Sequence, residues 1–335
     1  MTDRASLIAQ FLAAQGWQEA TRRPLAGDAS FRRYERLEKG ARRAILMDAP
    51  PPHEDVRPFI AVGRLLRDLE LSAPRIFAAQ AEEGLLLLED FGDSTYTRLL
   101  AAGEKAEPLY RLAVDVLIAL HRRFDEGRGP GLRHYDDKLL LDEAVRFVDW
   151  YLRLVTGEAA APDRRADYLE RWRAVLPLAH QMPSTLVLRD YHVDNLMRLG
   201  GRAGIAACGL LDFQDAVLGP ATYDLVSLLE DERREVGRSL RQRMIARYLA
   251  AFPAIDRDAF ACSFAVIGAQ RHAKNIGQFA RLLLRDGKPR YLKHIPHMWR
   301  LLADDLAHPS LAPVRDWFEA TVPPEWRRLP DRALA

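Results

Sequence analysis

The spacing of apolar positions changes character along the chain, and the changes divide it. Residues 5–15 place their apolar side chains on one face of a short helix. Over 22–48 the period shortens. Two β-like runs, 31–37 and 43–47, flank the turn Glu38-Lys39-Gly40, and Gly27-Asp28-Ala29-Ser30 leads into the first. Pro50-Pro51-Pro52 stops the second run. Over 54–70, Val56, Phe59, Ile60, Val62, Leu65, Leu66 and Leu69 return at helical spacing. A second strand pair, 76–79 and 85–88, is predicted about the turn Glu82-Glu83-Gly84.

After Gly92 the period becomes helical, with Ser94 as a candidate N-cap and helices over about 105–125, 137–155 and 163–180. A β-rich island at 185–188, 196–199 and 205–213 interrupts them, and helices resume to the C-terminus. There is no internal repeat. The pattern predicts an α+β protein in two lobes: a small β-rich N-lobe over 1–92, a hinge near 89–93, and a larger, mainly helical C-lobe over 93–335. Such a layout holds a ligand in the cleft between lobes.

Composition narrows the function classes. A chain of 335 residues exceeds one ordinary core, which agrees with two lobes. It is 48% hydrophobic and 29% charged, with a formal net charge of +2, so no bulk signal points to nucleic acid or a membrane. Cys208 and Cys262 are too few for a disulfide framework or a zinc site. Cys208 sits in an apolar run and reads as a small buried hydrophobe. The opening residues carry Asp3 and Arg4 and lack the apolar core of a signal peptide. No run reaches the roughly 20 apolar residues that span a bilayer. The expectation is a cytoplasmic protein, with its oligomeric state left open.

The chemistry gathers at 188–195, Leu-Arg-Asp-Tyr-His-Val-Asp-Asn, a loop between two apolar runs. The next run, Gly209-Leu210-Leu211-Asp212-Phe213-Gln214-Asp215, ends an apolar strand on a second acid. Phosphoryl transfer needs a carboxylate to orient the acceptor hydroxyl, and oxygen ligands to hold Mg²⁺ against the phosphates. Asp190, Asn195 and Asp212 meet those needs in order and spacing.

These segments resemble the catalytic and metal-binding loops of the aminoglycoside phosphotransferase/choline kinase family, which has a protein-kinase-like fold. Gly219-Pro220-Ala221-Thr222-Tyr223-Asp224-Leu225 is similar to the family's segment whose Asp braces the catalytic loop. Within the family the chain looks closest to the anomeric sugar kinases of peptidoglycan recycling, which phosphorylate N-acetylmuramate and N-acetylglucosamine. The likeness extends through GDASFRRY (27–34), LMDAPP (46–51), LLLLEDFGD (85–93) and QRHAKNIGQFARL (270–282). It implies ATP and Mg²⁺ as cofactors, a small amino sugar as partner, and neither nucleic acid nor membrane.

The resemblance also implies residue roles. Asp190 is the catalytic residue, and Asn195 and Asp212 bind metal. Ser30 covers the phosphates, and hinge groups near Glu89 and Phe91 bond adenine. One departure matters: the strand that usually supplies a phosphate-binding Lys reads Ala44-Ile45-Leu46-Met47-Asp48, with Met47 in its place. Arg32 and Arg33 are the natural substitutes, because guanidinium binds phosphate in bidentate fashion. Arg189, Asp194, Arg271 and His272 are candidate sugar contacts, each with a structural ion-pair or loop-packing role as the competing reading. Asp93 reads either as a ribose contact or as a helix cap. Another hydroxyl acceptor (an aminoglycoside or choline) and a non-catalytic nucleotide-binding regulator stay open as alternatives.

Overall fold

The computed structural model describes residues 3–25, 31–128 and 131–329. Their contacts form two compact units. The first takes the chain up to Arg123 and Val193–Ala216; the second takes Gly131–His192 and the chain from Val217, apart from a short exchange over 124–130. The first unit thus runs past residue 92, taking in two helices and a hairpin.

In chain order the first unit begins with α1 (Arg4–Ala14), β1 (Thr21–Pro24), β2 (Arg33–Lys39), β3 (Arg42–Asp48), α2 (Arg57–Asp68), β4 (Ile76–Gln80), β5 (Leu85–Leu88), α3 (Tyr96–Ala101) and α4 (Ala106–Arg123). The five strands make one antiparallel sheet in the order β1-β2-β3-β5-β4. The pleat sends alternate residues to opposite faces. Leu37, Ala44, Leu46, Leu85 and Leu87 pack with Ile8, Phe11 and Leu12 of α1 and with Trp17. Ile45, Met47, Leu86 and Leu88 alternate with these and are buried too, so β3 and β5 read as continuous apolar runs. Gly84 turns the chain into β5 at φ 66°, where a Cβ would lie 1.9 Å from the Ala49 carbonyl oxygen.

The second unit contains α5 (Asp137–Ala144), a π-helical turn (Phe147–Tyr151), α6 (Leu152–Thr156), α7 (Pro162–Val175) and β6 (Ser184–Val187). The chain then returns to the first unit for β7 (Leu196–Arg198) and β8 (Cys208–Leu210), and ends in the second with β9 (Val217–Pro220), α8 (Tyr223–Leu229), α9 (Arg238–Ala251), α10 (Arg257–Asp286), α11 (Ile295–Leu306) and α12 (Ala312–Thr321). The 30-residue α10 is the axis of this unit and is buried on nearly all sides through its middle. A Cβ on Gly277 would lie 2.3 Å from the Arg146 carbonyl, so only Gly lets the segment before the π turn approach. Phe147, Tyr168, Trp299, Trp317 and Phe318 form an aromatic cluster.

Three local expectations are corrected. The β-rich island is two separate ladders, β6 with β9 and β7 with β8; β9 and β1 were not anticipated. The helix expected over 137–155 is interrupted by the π turn. The cap of α3 is Thr95, whose hydroxyl accepts the Arg98 N–H at 3.2 Å; the Ser94 carbonyl instead accepts the Arg198 N–H at 2.8 Å. Both cysteines are buried and free. Among the described residues no helix is long and apolar enough to cross a membrane.

Candidate functional site

In the first unit the β7–β8 register sets Leu196 opposite Leu210, so Asn195 and Asp212 emerge at the same end of the hairpin. The Leu211 N–H donates to the Asn195 carbonyl at 3.0 Å, tying the two loops together. Phe213 anchors the second loop: its ring stacks on Phe59 of α2 at 4.8 Å, and Gly63 leaves room for it. Asp212 itself holds φ 57°, a left-handed conformation that costs a non-glycine residue roughly 1 kcal/mol or more and is concentrated at functional positions.

Asp212 Oδ1 accepts from the Gln214 amide at 2.9 Å and faces Arg32 Nη1 at 3.4 Å. Arg32 also pairs with Glu54 at 3.5 Å, and the Tyr34 hydroxyl lies beside it. Burial pushes the Tyr34 hydroxyl up to about 12. Arg33 is exposed at the start of β2. Met47 is fully buried between Tyr34 and Leu86, so this position of β3 offers no cation. Ser30 and the Gly27-Asp28-Ala29 turn lie outside the described residues.

The donors fit a hard divalent cation. The Asp212 carboxylate and the Asn195 amide both offer oxygen donors. The neighbouring Gln214 Oε1 is buried and accepts no hydrogen bond.

Glu89 and Phe91 are each held by other side chains. Glu89 pairs with Arg202 and accepts the Arg75 N–H at 3.2 Å. Arg202 also lies over the Phe91 ring, 5.3 Å from its centroid, and Phe91 packs on Gly209, where a Cβ would approach to 2.8 Å. Arg36 on β2 holds Asp90 and Asp93, each at 2.8 Å, and its guanidinium keeps the Asp93 carboxyl below its ordinary range. Asp93 is therefore engaged by Arg36 and Arg98. Sequence reasoning passed over Arg36 because an arginine inside a strand reads as an edge charge until its partners are known. The Asp194 carboxylate accepts from the Thr97 hydroxyl at the start of α3.

In the second unit Asp190 follows Arg189, which holds φ 69°. Asp224 braces this turn, accepting the Leu188 N–H at 2.6 Å and the Arg189 N–H at 2.9 Å. Burial pushes the Asp224 carboxyl up to about 7, against those two donors and Arg271. The Arg189 carbonyl accepts from Ser227 Oγ at 3.2 Å and from Arg271 at 3.3 Å. The Arg189 side chain pairs with Glu143 and lies over the Tyr135 ring.

Arg271 is 2% exposed and reaches Glu232 at 3.3 Å. One turn on, Lys274 reaches Glu143 at 3.3 Å and the Tyr223 hydroxyl at 2.9 Å. Burial opposes ionisation of Glu143, but Lys274 and Arg189 hold its carboxyl down at about 2. His192, two residues after Asp190, is neutral, since burial and Arg233 push it down to about 4. His272 has no exposed surface. Its Nδ1 lies 2.9 Å from Asp305 and its Nε2 3.3 Å from the Glu230 carbonyl. Both nitrogens face oxygens and burial lowers the ring's pKa, so a neighbouring carboxyl supplies the second proton. Of the four candidate sugar contacts, Arg271 and His272 are thus buried in ion-pair and hydrogen-bond networks, Arg189 is held by Glu143, and Asp194 by Thr97.

Comparison with known proteins places this arrangement. A model of the phosphotransferase enzyme family matches residues 21–261. A Caulobacter vibrioides protein named N-acetylmuramate/N-acetylglucosamine kinase is 38% identical over 98% of this chain and 99% of its own length. A protein of the same name from Pseudomonas aeruginosa is 38% identical over 92% of this chain and 91% of its own. Among solved structures, a choline/ethanolamine kinase family protein from Mesorhizobium loti superposes with a TM-score of 0.63 at 14% identity, covering 93% of this chain and 98% of its own. The ADP-bound aminoglycoside phosphotransferase APH(2'')-Ib does so with a TM-score of 0.61 at 14% identity, covering 90% of this chain and 99% of its own.

Proposed function

The chain belongs to the phosphotransferase enzyme family, with a protein-kinase-like fold, and from that premise we propose that it is an ATP-dependent kinase that phosphorylates the anomeric hydroxyl of N-acetylmuramate and N-acetylglucosamine. The acceptor is supported by the two relatives at 38% identity, both named as kinases of these sugars. The observation that carries the chemistry is the Leu211–Asn195 backbone bond, which draws two oxygen ligands to one end of a hairpin.

In this reading Asp190 accepts a hydrogen bond from the sugar's anomeric hydroxyl and orients its oxygen for in-line attack on the γ-phosphorus. An anomeric hydroxyl is more acidic than an ordinary alcohol, so positioning is the larger part of the task. Asp224 keeps Asp190 in place through the backbone of Leu188 and Arg189. Asn195 and Asp212 hold Mg²⁺, which when bound neutralises charge on the transferring phosphoryl group. Arg32 supplies the phosphate-binding cation that Met47 does not, and Glu89 and Phe91 present the hinge backbone to adenine. Arg271 and His272 shape the second unit from inside rather than touching the sugar.

The test is ADP release from ATP with N-acetylmuramate, N-acetylglucosamine, glucose, choline and kanamycin, with the product's phosphorylated position read by phosphorus–carbon NMR coupling. Turnover confined to the two amino sugars, with phosphate on carbon 1, is expected. Turnover with choline or kanamycin instead, or phosphate on another carbon, overturns the acceptor. Tight ATP binding without turnover on any acceptor overturns the kinase.

A further inference from the structure

Arg32 stands among more acid than it can neutralise. It is 14% exposed, with Asp212 Oδ1 at 3.4 Å and Glu54 Oε2 at 3.5 Å, and the Asp215 charge also acts on it. Glu54 is held in turn by the Phe31 N–H at 3.1 Å. The Asp212 oxygen that faces Arg32 belongs to the carboxylate read above as a metal ligand, and this inference rests on that reading. A guanidinium and a divalent cation on one carboxylate repel each other, the more so where burial lowers the effective dielectric constant. A metal ion alone at Asp212 therefore binds against the Arg32 charge, and a further anion that draws Arg32 away relieves this repulsion.

We propose that Arg32 is an exchangeable counter-ion: it neutralises Asp212 in the nucleotide-free protein and moves onto the phosphates when a metal–nucleotide complex arrives. This makes metal and nucleotide binding mutually dependent. Arg32 opposes a bare divalent cation and assists the same cation when polyphosphate comes with it, which is a positive coupling between the two ligands. A fixed lysine on β3 would assist the nucleotide without occupying the metal ligand. Here one side chain serves both states, because the buried Met47 position of β3 offers no cation.

The coupling is measurable on the full chain with Mn²⁺ followed by its EPR signal, with and without a non-hydrolysable ATP analogue. Arg32→Gln is expected to tighten Mn²⁺ binding about tenfold in the absence of nucleotide, and to weaken it in the presence of the analogue. Glu54→Gln removes the other acid that holds Arg32, leaves it on Asp212, and is expected to weaken nucleotide-free Mn²⁺ binding. Arg32→Lys retains the charge and is expected to keep the sign of the coupling. A purely structural arginine moves both affinities the same way. Nucleotide-free Mn²⁺ affinity that is unchanged or weaker in Arg32→Gln overturns the exchange. Asp212→Asn separates the two levels: if it leaves Mn²⁺–nucleotide binding intact, the metal-ligand reading fails, whereas if it abolishes that binding and Arg32→Gln shows no tightening, only the exchange fails.

Discussion

The carboxylate of Asp224 accepts the backbone N–H of Arg189 at 2.9 Å, and Arg189 holds a left-handed φ of 69°. A β-unbranched side chain in that region pays roughly 1–2 kcal/mol, so the turn before Asp190 persists only while something fastens it. Asp224 does this from α8, 35 residues downstream. In Asp224→Asn one N–H of the turn faces an amide NH₂ instead of an oxygen. We predict a fall in kcat of about 10²-fold, the size of effect a small misplacement produces, with the KM for ATP little changed. Steady-state kinetics on the folded variant separate the two.

Asp190→Asn retains the shape of the loop and removes the charge proposed above to orient the acceptor. Turnover is expected to fall by about three orders of magnitude or more, as for a group acting in the transition state. ATP-analogue binding by calorimetry is expected to stay within about twofold of wild type. Near-normal turnover in this variant would remove Asp190 from the chemistry.

Gly209→Ala probes the adenine contact proposed at Glu89 and Phe91. The added Cβ meets the Phe91 ring at 2.8 Å and Met197 Cβ at 3.1 Å. Phe91 cannot retreat easily, because Arg202 lies over it while pairing with Glu89. The expected result is an ATP KM raised about tenfold, equivalent to about 1.4 kcal/mol, with kcat and the sugar KM preserved. A change confined to the sugar KM counts against adenine binding at this hinge.

Arg271→Leu distinguishes a buried strut from a sugar contact. Removing the guanidinium takes a partner from buried Glu232 and a donor from the Arg189 carbonyl. Breaking a buried pair costs about 3–5 kcal/mol, and Arg233, at 2.8 Å from the other oxygen of Glu232, offsets part of it. Urea unfolding is expected to show that loss, together with a lower kcat. Full stability with a raised sugar KM would return Arg271 to the acceptor.

Stability above neutral pH is expected to follow Glu230. Burial and then the Asp305 carboxyl push Glu230 up to about 8, against His272 and Arg241. The unfolded chain releases this proton near its ordinary value of 4.5. The raised folded value therefore contributes stability that is full below about pH 4.5 and is lost as pH rises through about 8. Glu230→Gln has no proton to lose, so its melting temperature should decline less between pH 7 and 9 than that of wild type. Parallel melting curves for the two proteins over that range would exclude Glu230 as the titrating group.

Local pattern carried much of the first unit. The alternation in β2, the apolar runs of β3 and β5, the turn at Gly84 and the helical spacing of α2 are properties of neighbouring residues, so they are legible without a structure. The order of Asp190, Asn195 and Asp212 is likewise written along the chain, because it lies within loops bounded by apolar strands. What the linear pattern does not contain is the identity of distant partners. β9 was missed because its backbone bonds run to β6, whose Val187 pairs with Val217 and Ser184 with Pro220, and a strand of four residues has little period of its own. Arg271, His272 and Lys274 read equally well as a ligand wall or as a structural ion pair or solvated face; only Glu232, Asp305 and Glu143, brought to α10 from other helices and loops, make them internal. Arg32 was legible as a cation but not as the neighbour of Asp212, 180 residues away in the chain. The sequence determined which chemical groups this protein owns and which short elements hold them. Tertiary structure alone decided which charge neutralises which, because ion pairs and ladder bonds depend on distance in space, for which separation along the chain is no guide.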